Sequence, residues 1–538
     1  MTPLRQNTDK ARPMKPAGPV LYPCDQGVIA SSPALAPCSA QAASWVLAAT
    51  ILGSSLAFID GTVVNVALPA LQASLNATVV DMQWVVEACA LLLAALLLVG
   101  GSLGDTYGRR RIYVIGIIVF ATASVGCSLA LSVNQLIFSR AVQGIGAALL
   151  VPGSLAILSA SFRERDRGRA IGTWSAFTAM TTAVGPVLGG WLIEHGSWRW
   201  VFFINQPIAA IAIMLTLWHV PESRNPLADG KPDWPGAALA VVGLTGIAFA
   251  LIESSNRSGS DPVVIVALLM GVCALIAFAA VESRTKAPLL PMNLLRVRNF
   301  AGTNLLTLFL YGALGGMFFF FPMNLIQVQG YLPTAAGSAS LPFVALIFLL
   351  SRWTGGLMDR YGSRRLLIFG PIVAAIGFGL FAVPSIGGNY WITFFPAVMT
   401  LGLGMAISVA PLTTTVMNSV GGEWAGVASG INNAVARLAG VLAIAIFGIV
   451  MLQTFDRHLM RNLAEINISP EIRRDIGAQR IKLAAIEVPS NIDITTRRAI
   501  ERLIDESFIA GFRGVMLIAS GLAFASAATA WFVIRDKP

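Results

Sequence analysis

Apolar stretches of about 20 residues alternate with short polar connectors along most of this chain. Such a stretch, wound as an α-helix, is long enough to cross the hydrocarbon core of a bilayer. The pattern predicts helices near 45–69, 84–104, 112–131, 135–159, 170–193, 199–219, 235–253, 262–281, 300–322, 335–357, 366–384, 391–416, 425–452 and 508–534, numbered here as spans 1 to 14. Two segments break the pattern. Residues 1–44 are polar, hold seven prolines and lack the apolar core of a signal peptide, so they read as a disordered tail. Residues 453–507 balance nine basic against nine acidic side chains and read as a long external loop with helical patches such as Thr495–Glu506.

Composition agrees. Hydrophobic residues are 56% of the 538 and charged residues 12%, which excludes a soluble protein and defines an all-α polytopic membrane protein. The net charge of +10 by itself would allow a nucleic-acid partner, but the positions of the basic residues argue otherwise. With the N-terminus inside, 22 of the 37 Lys and Arg fall on cytoplasmic pieces and only Arg199 and Arg257 on short external loops. That bias places both termini in the cytoplasm, with the chain in the plasma (inner) membrane. The five cysteines and three histidines show no metal-ligand spacing, so no metal site is expected. There is no phosphate-binding Gly-x-x-x-x-Gly-Lys-Ser/Thr loop, and no His/Glu or Ser/His constellation at membrane depth, so neither a nucleotide site nor an enzyme is expected.

Charges inside the spans are the candidates for chemistry. Asp60 lies well within span 1, where an ionised carboxylate costs about 2.5–3.5 kcal/mol. A residue kept at that cost faces a cavity or an ion path; the alternative is a helix-end side chain reaching for headgroups. Arg140, about six residues into span 4, needs acceptors just as much, and Asp60 is a candidate partner. The alternative for Arg140 is a structural bond to a carbonyl.

An internal repeat divides the chain. Gly101-Ser-Leu-Gly-Asp105-Thr-Tyr-Gly108-Arg109-Arg110-Arg111 follows span 2, and Gly355-Gly-Leu-Met-Asp359-Arg-Tyr-Gly362-Ser-Arg364-Arg365 follows span 10. With spans 7 and 8 inserted, these are equivalent places in two six-helix halves, 45–220 and 282–538, flanking two extra helices at 234–281. Each loop sets a carboxylate, a glycine turn and a basic cluster side by side, which reads as a breakable latch at the cytoplasmic seam. Plain positive-inside anchoring is the alternative.

These loops resemble motif A of the major facilitator superfamily. Leu136-x-x-x-Arg140-x-x-Gln143-Gly144-x-Gly146-Ala-Ala148 resembles its motif B. Gly172, Thr181 and Gly185-Pro186-x-x-Gly189-Gly190 resemble its antiporter motif C, with Thr181 where that pattern has glycine. Ile59-Asp60-x-Thr62-Val-x-Asn65-Val-Ala-Leu-Pro69 is similar to the span-1 motif of the fourteen-span drug/proton antiporters. The resemblance implies two halves rocking about a central cavity, with proton-driven efflux of hydrophobic or amphipathic drugs. It also implies that protonation of Asp60, coupled to Arg140, drives transport. The proton gradient takes the place of any cofactor; the partners are protons, a small-molecule substrate and the bilayer, with room left for a periplasmic adaptor. Two other readings stay open: an exporter dedicated to one endogenous metabolite, and a non-transporting sensor with the same fold.

The cavity candidates are Asn65 and Gln143, which share motifs with Asp60 and Arg140, together with Glu87, Asn205, Tyr311 and Asn432. Glu87 suits a cationic drug or a proton, or equally an interfacial position. Most of Phe318–Phe321 are expected to face lipid. Arg437 stands in span 13 with no acidic residue in that span, which argues against dicationic substrates.

Overall fold

The computed structural model describes residues 40–162, 164–224, 233–257, 259–285, 290–420, 425–466, 468–489 and 492–535. The predicted tail therefore falls outside the described residues, apart from its last few, which begin the first helix at Ala40. Among the described residues the fold is helical throughout, and fourteen helices are long and apolar enough to cross a membrane. Spans 1 to 6 are Ala43–Leu75, Val79–Tyr107, Arg109–Ser128, Val133–Ser161, Arg169–His195 and Trp200–His219. Spans 7 and 8 are Trp234–Glu253 and Pro262–Glu282; spans 9 to 14 are Arg298–Val328, Pro333–Leu350, Ser363–Phe381, Phe395–Asn418, Val427–Leu463 and Ile494–Val533.

Local chemistry explains where the helices begin and end. Thr78 and Asp81 form a reciprocal capping box at the start of span 2, and Ser132 caps span 4 through Gln135 N. Gly108 and Gly362 break the chain between spans 2 and 3 and between spans 10 and 11, at φ +112° and +78°. A side chain would be strained at either place. The loop expected over 453–507 is corrected by the structure. Span 13 continues to Leu463, span 14 begins at Ile494, and a short helix, Pro470–Ala478, lies between them. Ion pairs one turn apart, Arg497–Glu501 and Arg502–Glu506 at 2.9 Å each, carry the span 14 helix beyond its apolar part. Hydropathy marks the end of the apolar run, not the end of the helix.

Spans 1–6 pack mainly on one another, as do spans 9–14, and these two groups are the halves; span 7 packs on span 8 and against spans 2 and 13. Span 7 packs on span 8 through Gly243 against Leu275 and Gly246 against Gly271. Trp84 of span 2 donates its indole N–H to Glu253 at 3.2 Å, pinning span 7 to the first half. Several hydrogen bonds join the halves on the side away from the basic loops. There Gln327 donates to Gln72 at 2.9 Å, Gln83 to the Ile444 carbonyl at 2.7 Å and Thr334 to Glu194 at 2.6 Å. Lys482, from the segment between spans 13 and 14, donates to Asn76 at 2.7 Å over the end of span 1.

Candidate functional site

A cavity of about 280 Å³ lies between the halves. Spans 1, 2, 4 and 5 supply one wall, including Asp60, Asn65, Cys89, Arg140 and Pro186. Spans 9, 10, 12 and 13 supply the other, including Tyr311, Phe318, Phe321, Phe343, Met405 and Arg437.

Asp60 is 1% exposed and Arg140 2%, and they are joined by a bond of 2.5 Å from the guanidinium to Oδ2. Gln143 donates to Oδ1 of Asp60 at 2.8 Å and accepts from Arg140 at 2.6 Å, so the three side chains close a ring. Asn205 reaches the same Oδ1 at 3.4 Å, and Ser124 links Gln143 and Asn205 from behind. The remaining edge of Arg140 donates to the Val85 carbonyl at 2.9 Å, with the Phe202 ring 5.8 Å away. Five spans thus contribute to one buried charge pair. Small residues make this possible. A Cβ on Gly144 would stand 2.5 Å from the Cys89 carbonyl oxygen, and one on Gly146 2.5 Å from the Phe120 amide nitrogen. Span 4 therefore touches the backbones of spans 2 and 3, bringing Arg140 within reach of Val85.

Pro186 and its glycines do similar work on the side away from the basic loops. A Cβ on Gly185 would lie 2.2 Å from Thr62 Oγ1 and one on Gly189 2.2 Å from Val63, so span 5 lies directly on span 1, beside Asp60. Gly190 and Gly337 bring span 5 against the start of span 10: their Cβ atoms would meet the carbonyl oxygens of Pro333 at 2.3 Å and Pro186 at 2.1 Å. Thr181 donates to Thr178 O at 2.9 Å within its own helix, which satisfies the hydroxyl that stands where the motif has glycine. Gly172, half-buried, sits nearer the other end of the helix and outside the cavity lining.

On the basic side the first motif loop folds upon its own half. Asp105 pairs with Arg109 at 2.8 Å, and Arg109, 3% exposed, also donates to the Ala156 carbonyl at 3.3 Å. Gly101 is in ordinary contact with Pro152. The Glu222 carboxylate accepts from the backbone N–H groups of Arg110 and Arg111 at 3.1 and 3.2 Å, at the positive end of span 3. The sequence reading missed Glu222, because an acidic residue after span 6 has no spacing that ties it to span 3. The latch expected between halves is thus, in this conformation, a clasp within one half: the partner of Asp105 is four residues away. In the second repeat Arg364 donates to the Trp531 carbonyl at 2.7 Å, again within its half. The side chain of Asp359 lies outside the described residues.

The predicted cavity residues divide. Asn65 and Tyr311 line the cavity. Gln143 and Asn205 instead serve the Asp60 network, because Asp60 and Arg140 draw their polar ends behind the wall. Asn432 is also withdrawn, donating to Asn304 and Thr307 at 2.9 Å each and fastening span 13 to span 9. Glu87 is fully buried rather than interfacial, and neither carboxylate oxygen has a partner among the described residues. The phenylalanine run is corrected too. Phe319, Phe320 and Phe321 are buried, and Phe318 and Phe321 face the cavity, because span 9 is central in the second half and shows lipid little of its surface.

Residues 50–444 match the Major Facilitator Superfamily. The chain is 32% identical over 489 residues to the multidrug resistance protein Stp of Mycobacterium tuberculosis (strain CDC 1551 / Oshkosh), covering 88% of this chain and 89% of that protein. It is 29% identical over 495 residues to the tetracenomycin C resistance and export protein of Streptomyces glaucescens, covering 91% and 92%. Among solved structures, a bacterial homolog of the human lysosomal transporter Spinster, in an inward-facing and unoccupied conformation, superposes with a TM-score of 0.63 at 18% identity. That match covers 93% of this chain and all of the other.

Proposed function

The chain belongs to the major facilitator superfamily, and on that premise we propose that it exports hydrophobic and amphipathic small molecules in exchange for protons. The observation that carries this reading is a carboxylate, Asp60, that lines the central cavity while paired to a buried arginine. A proton delivered to Asp60 cancels the charge that holds Arg140 and frees Gln143 to turn. It thereby loosens the joint between spans 1 and 4 at the wall where substrate lies. Return of the proton to the cytoplasm rebuilds the pair. Motif C supports an exchange between two closed states, since span 5 meets both span 1 and span 10 through glycines. In this reading the basic side faces the cytoplasm, both termini are cytoplasmic and the membrane is the plasma (inner) membrane.

The energetics suffice. One proton crossing about 100 mV yields roughly 2.3 kcal/mol, and one pH unit adds roughly 1.4. A tenfold gradient of a neutral solute costs about 1.4 kcal/mol, so one proton per substrate sustains a gradient of more than a hundredfold. The test is efflux of a neutral dye, Nile red, from cells expressing the protein, with and without an uncoupler, for the wild type and Asp60→Asn. Loss of efflux under both perturbations is expected. Efflux that survives the uncoupler would refute proton coupling. Efflux that stops with the uncoupler but persists in Asp60→Asn would move the coupling role to another group, Glu87 first. A second reading draws on the name of the Streptomyces relative, which denotes export of a single compound: a carrier dedicated to one metabolite. A panel of unrelated dyes, none of them moved, would favour it.

A further inference from the structure

Most of the side chains that bring oxygen or nitrogen to the cavity wall are engaged with the protein itself. Asp60 and Arg140 hold each other, and Tyr311 and Arg437 also have partners of their own. Thr62 donates to the Phe58 and Ile59 carbonyls at 3.1 and 3.0 Å, Thr182 to Thr178 O at 2.9 Å and Ser340 to Gly337 O at 3.1 Å. Asn65 is the exception. It lines the cavity, half-buried, and its amide makes no hydrogen bond among the described residues. The helix adds a second polar group at the same residue. Pro69 lies four positions on within span 1 and has no N–H to give, so the Asn65 carbonyl lacks its helical donor. The opposite wall is aromatic and braced. Phe318 and Phe343 meet edge to face with ring centroids 5.4 Å apart, and Phe321 is held against Phe381 and Phe394 at 5.0 and 5.6 Å. Rings fixed in this way present flat apolar surface to whatever enters. A bare hydrocarbon that fills the space strips water from the Asn65 amide and returns nothing; a ligand that bonds the amide avoids that cost.

We propose that Asn65 and the phenylalanine wall form a binding site for flat, uncharged, polycyclic aromatic ketones, with the amide N–H donating to the ring carbonyl. A phenolic hydroxyl beside that carbonyl is accommodated as well, since the amide oxygen accepts. The class is uncharged because the charged residues of the lining are already engaged, and a charge enclosed without a partner is costly. The proposal rests on the exporter reading above and names its substrate class. Such a ligand touches both halves at once, span 1 through a hydrogen bond and spans 9 and 10 through its rings. Its anchor stands on the same helix as Asp60, five residues or about 7.5 Å of rise away.

Fluorenone and fluorene share one flat tricyclic skeleton and differ only in a ring carbonyl against a methylene, so their binding isolates the hydrogen bond from shape. The experiment measures the excess of each compound, at equilibrium, in phosphatidylcholine nanodiscs that hold the purified protein over empty nanodiscs, the two kinds being separated by an affinity tag. The expected result is a preference for fluorenone of about threefold to tenfold, the worth of one net hydrogen bond. Asn65→Leu keeps the bulk of the side chain and removes the amide, and is expected to bring the ratio of affinities to unity or below by weakening fluorenone. No excess of fluorenone in the wild type, equal or tighter binding of fluorene, or an unchanged ratio in Asn65→Leu overturns the proposal. A second measurement needs no variant. The infrared carbonyl stretch of fluorenone bound to the wild type should move to lower wavenumber than in empty nanodiscs, as a carbonyl that accepts a hydrogen bond does; an unmoved band counts against the proposal. Ketone-selective binding without uncoupler-sensitive Nile red efflux would sink the antiport reading and leave Asn65 as the ketone site. Uncoupler-sensitive Nile red efflux without ketone selectivity would do the reverse.

Discussion

Replacing Asp60 with Asn keeps the shape of the side chain and removes the charge that Arg140 meets at 2.5 Å. Breaking a buried pair by deleting one partner costs about 3–5 kcal/mol, mostly because the other charge is left behind. Here Arg140 keeps the Val85 carbonyl and Gln143 Oε1, so the lower end, about 3 kcal/mol, applies. Arg140→Gln leaves the opposite residue: a carboxylate still supplied by Gln143 at 2.8 Å and by Asn205 at 3.4 Å, again at a cost of about 3 kcal/mol. The double variant buries no charge and retains amides able to bond each other. Most of the loss should then return, giving a coupling energy of about 2–3 kcal/mol between the two sites. Unfolding of the four proteins by titration with sodium dodecyl sulfate in mixed micelles measures this cycle. Single losses that simply add in the double variant would refute the pairing, and with it the mechanism built on the pair. Function should not follow stability. The double variant folds better than either single variant, yet it holds no carboxylate to protonate. Its solute gradient in energised vesicles is expected to fall to unity, against the more than about hundredfold that one proton per substrate would support in the wild type.

Three other substitutions probe separate parts of the structure. Gly190→Ala puts a methyl group 2.3 Å from the Pro333 carbonyl oxygen, a backbone atom that yields only if spans 5 and 10 part. Faster labelling of Tyr311→Cys by an impermeant maleimide, in a cysteine-free background, would report that opening; an unchanged rate would contradict it. Gly108→Ala forces a side chain to φ +112° and against the Glu222 carboxylate at 2.8 Å, at a cost of about 1–3 kcal/mol. The same detergent titration reads that loss, and an unaltered curve would show that the turn relaxes. Glu87→Met removes a buried carboxyl group whose oxygens have no partner among the described residues, and should stabilise the protein by about 1–3 kcal/mol while leaving Nile red efflux intact. Lost efflux in a well-folded Glu87→Met protein would assign Glu87 a part in transport.

Much of this protein is written in its linear pattern. The fourteen apolar runs, the matched Asp-x-x-Gly loops and a lone Asp and Arg within apolar spans were legible without coordinates, because a bilayer penalises polar groups residue by residue. That penalty also singled out Asp60 and Arg140 and made each the natural partner of the other. What the pattern did not contain was direction. Gln143 and Asn432 read as cavity residues for the same reason that Asn65 did, yet only Asn65 faces the open space. The first two are turned away by Asp60 and by Asn304, partners on other helices. Phe319 and Phe320 have the hydropathy of lipid-facing residues and are buried, because hydropathy cannot distinguish a protein interior from hydrocarbon. The clasp of Glu222 on span 3 and the seam of Gly190 on Pro333 join residues more than a hundred positions apart. Insertion into the membrane is decided helix by helix and can be read locally. The rotation of each helix about its axis, and so the side on which Arg437 meets the cavity, is fixed only when the helices pack together.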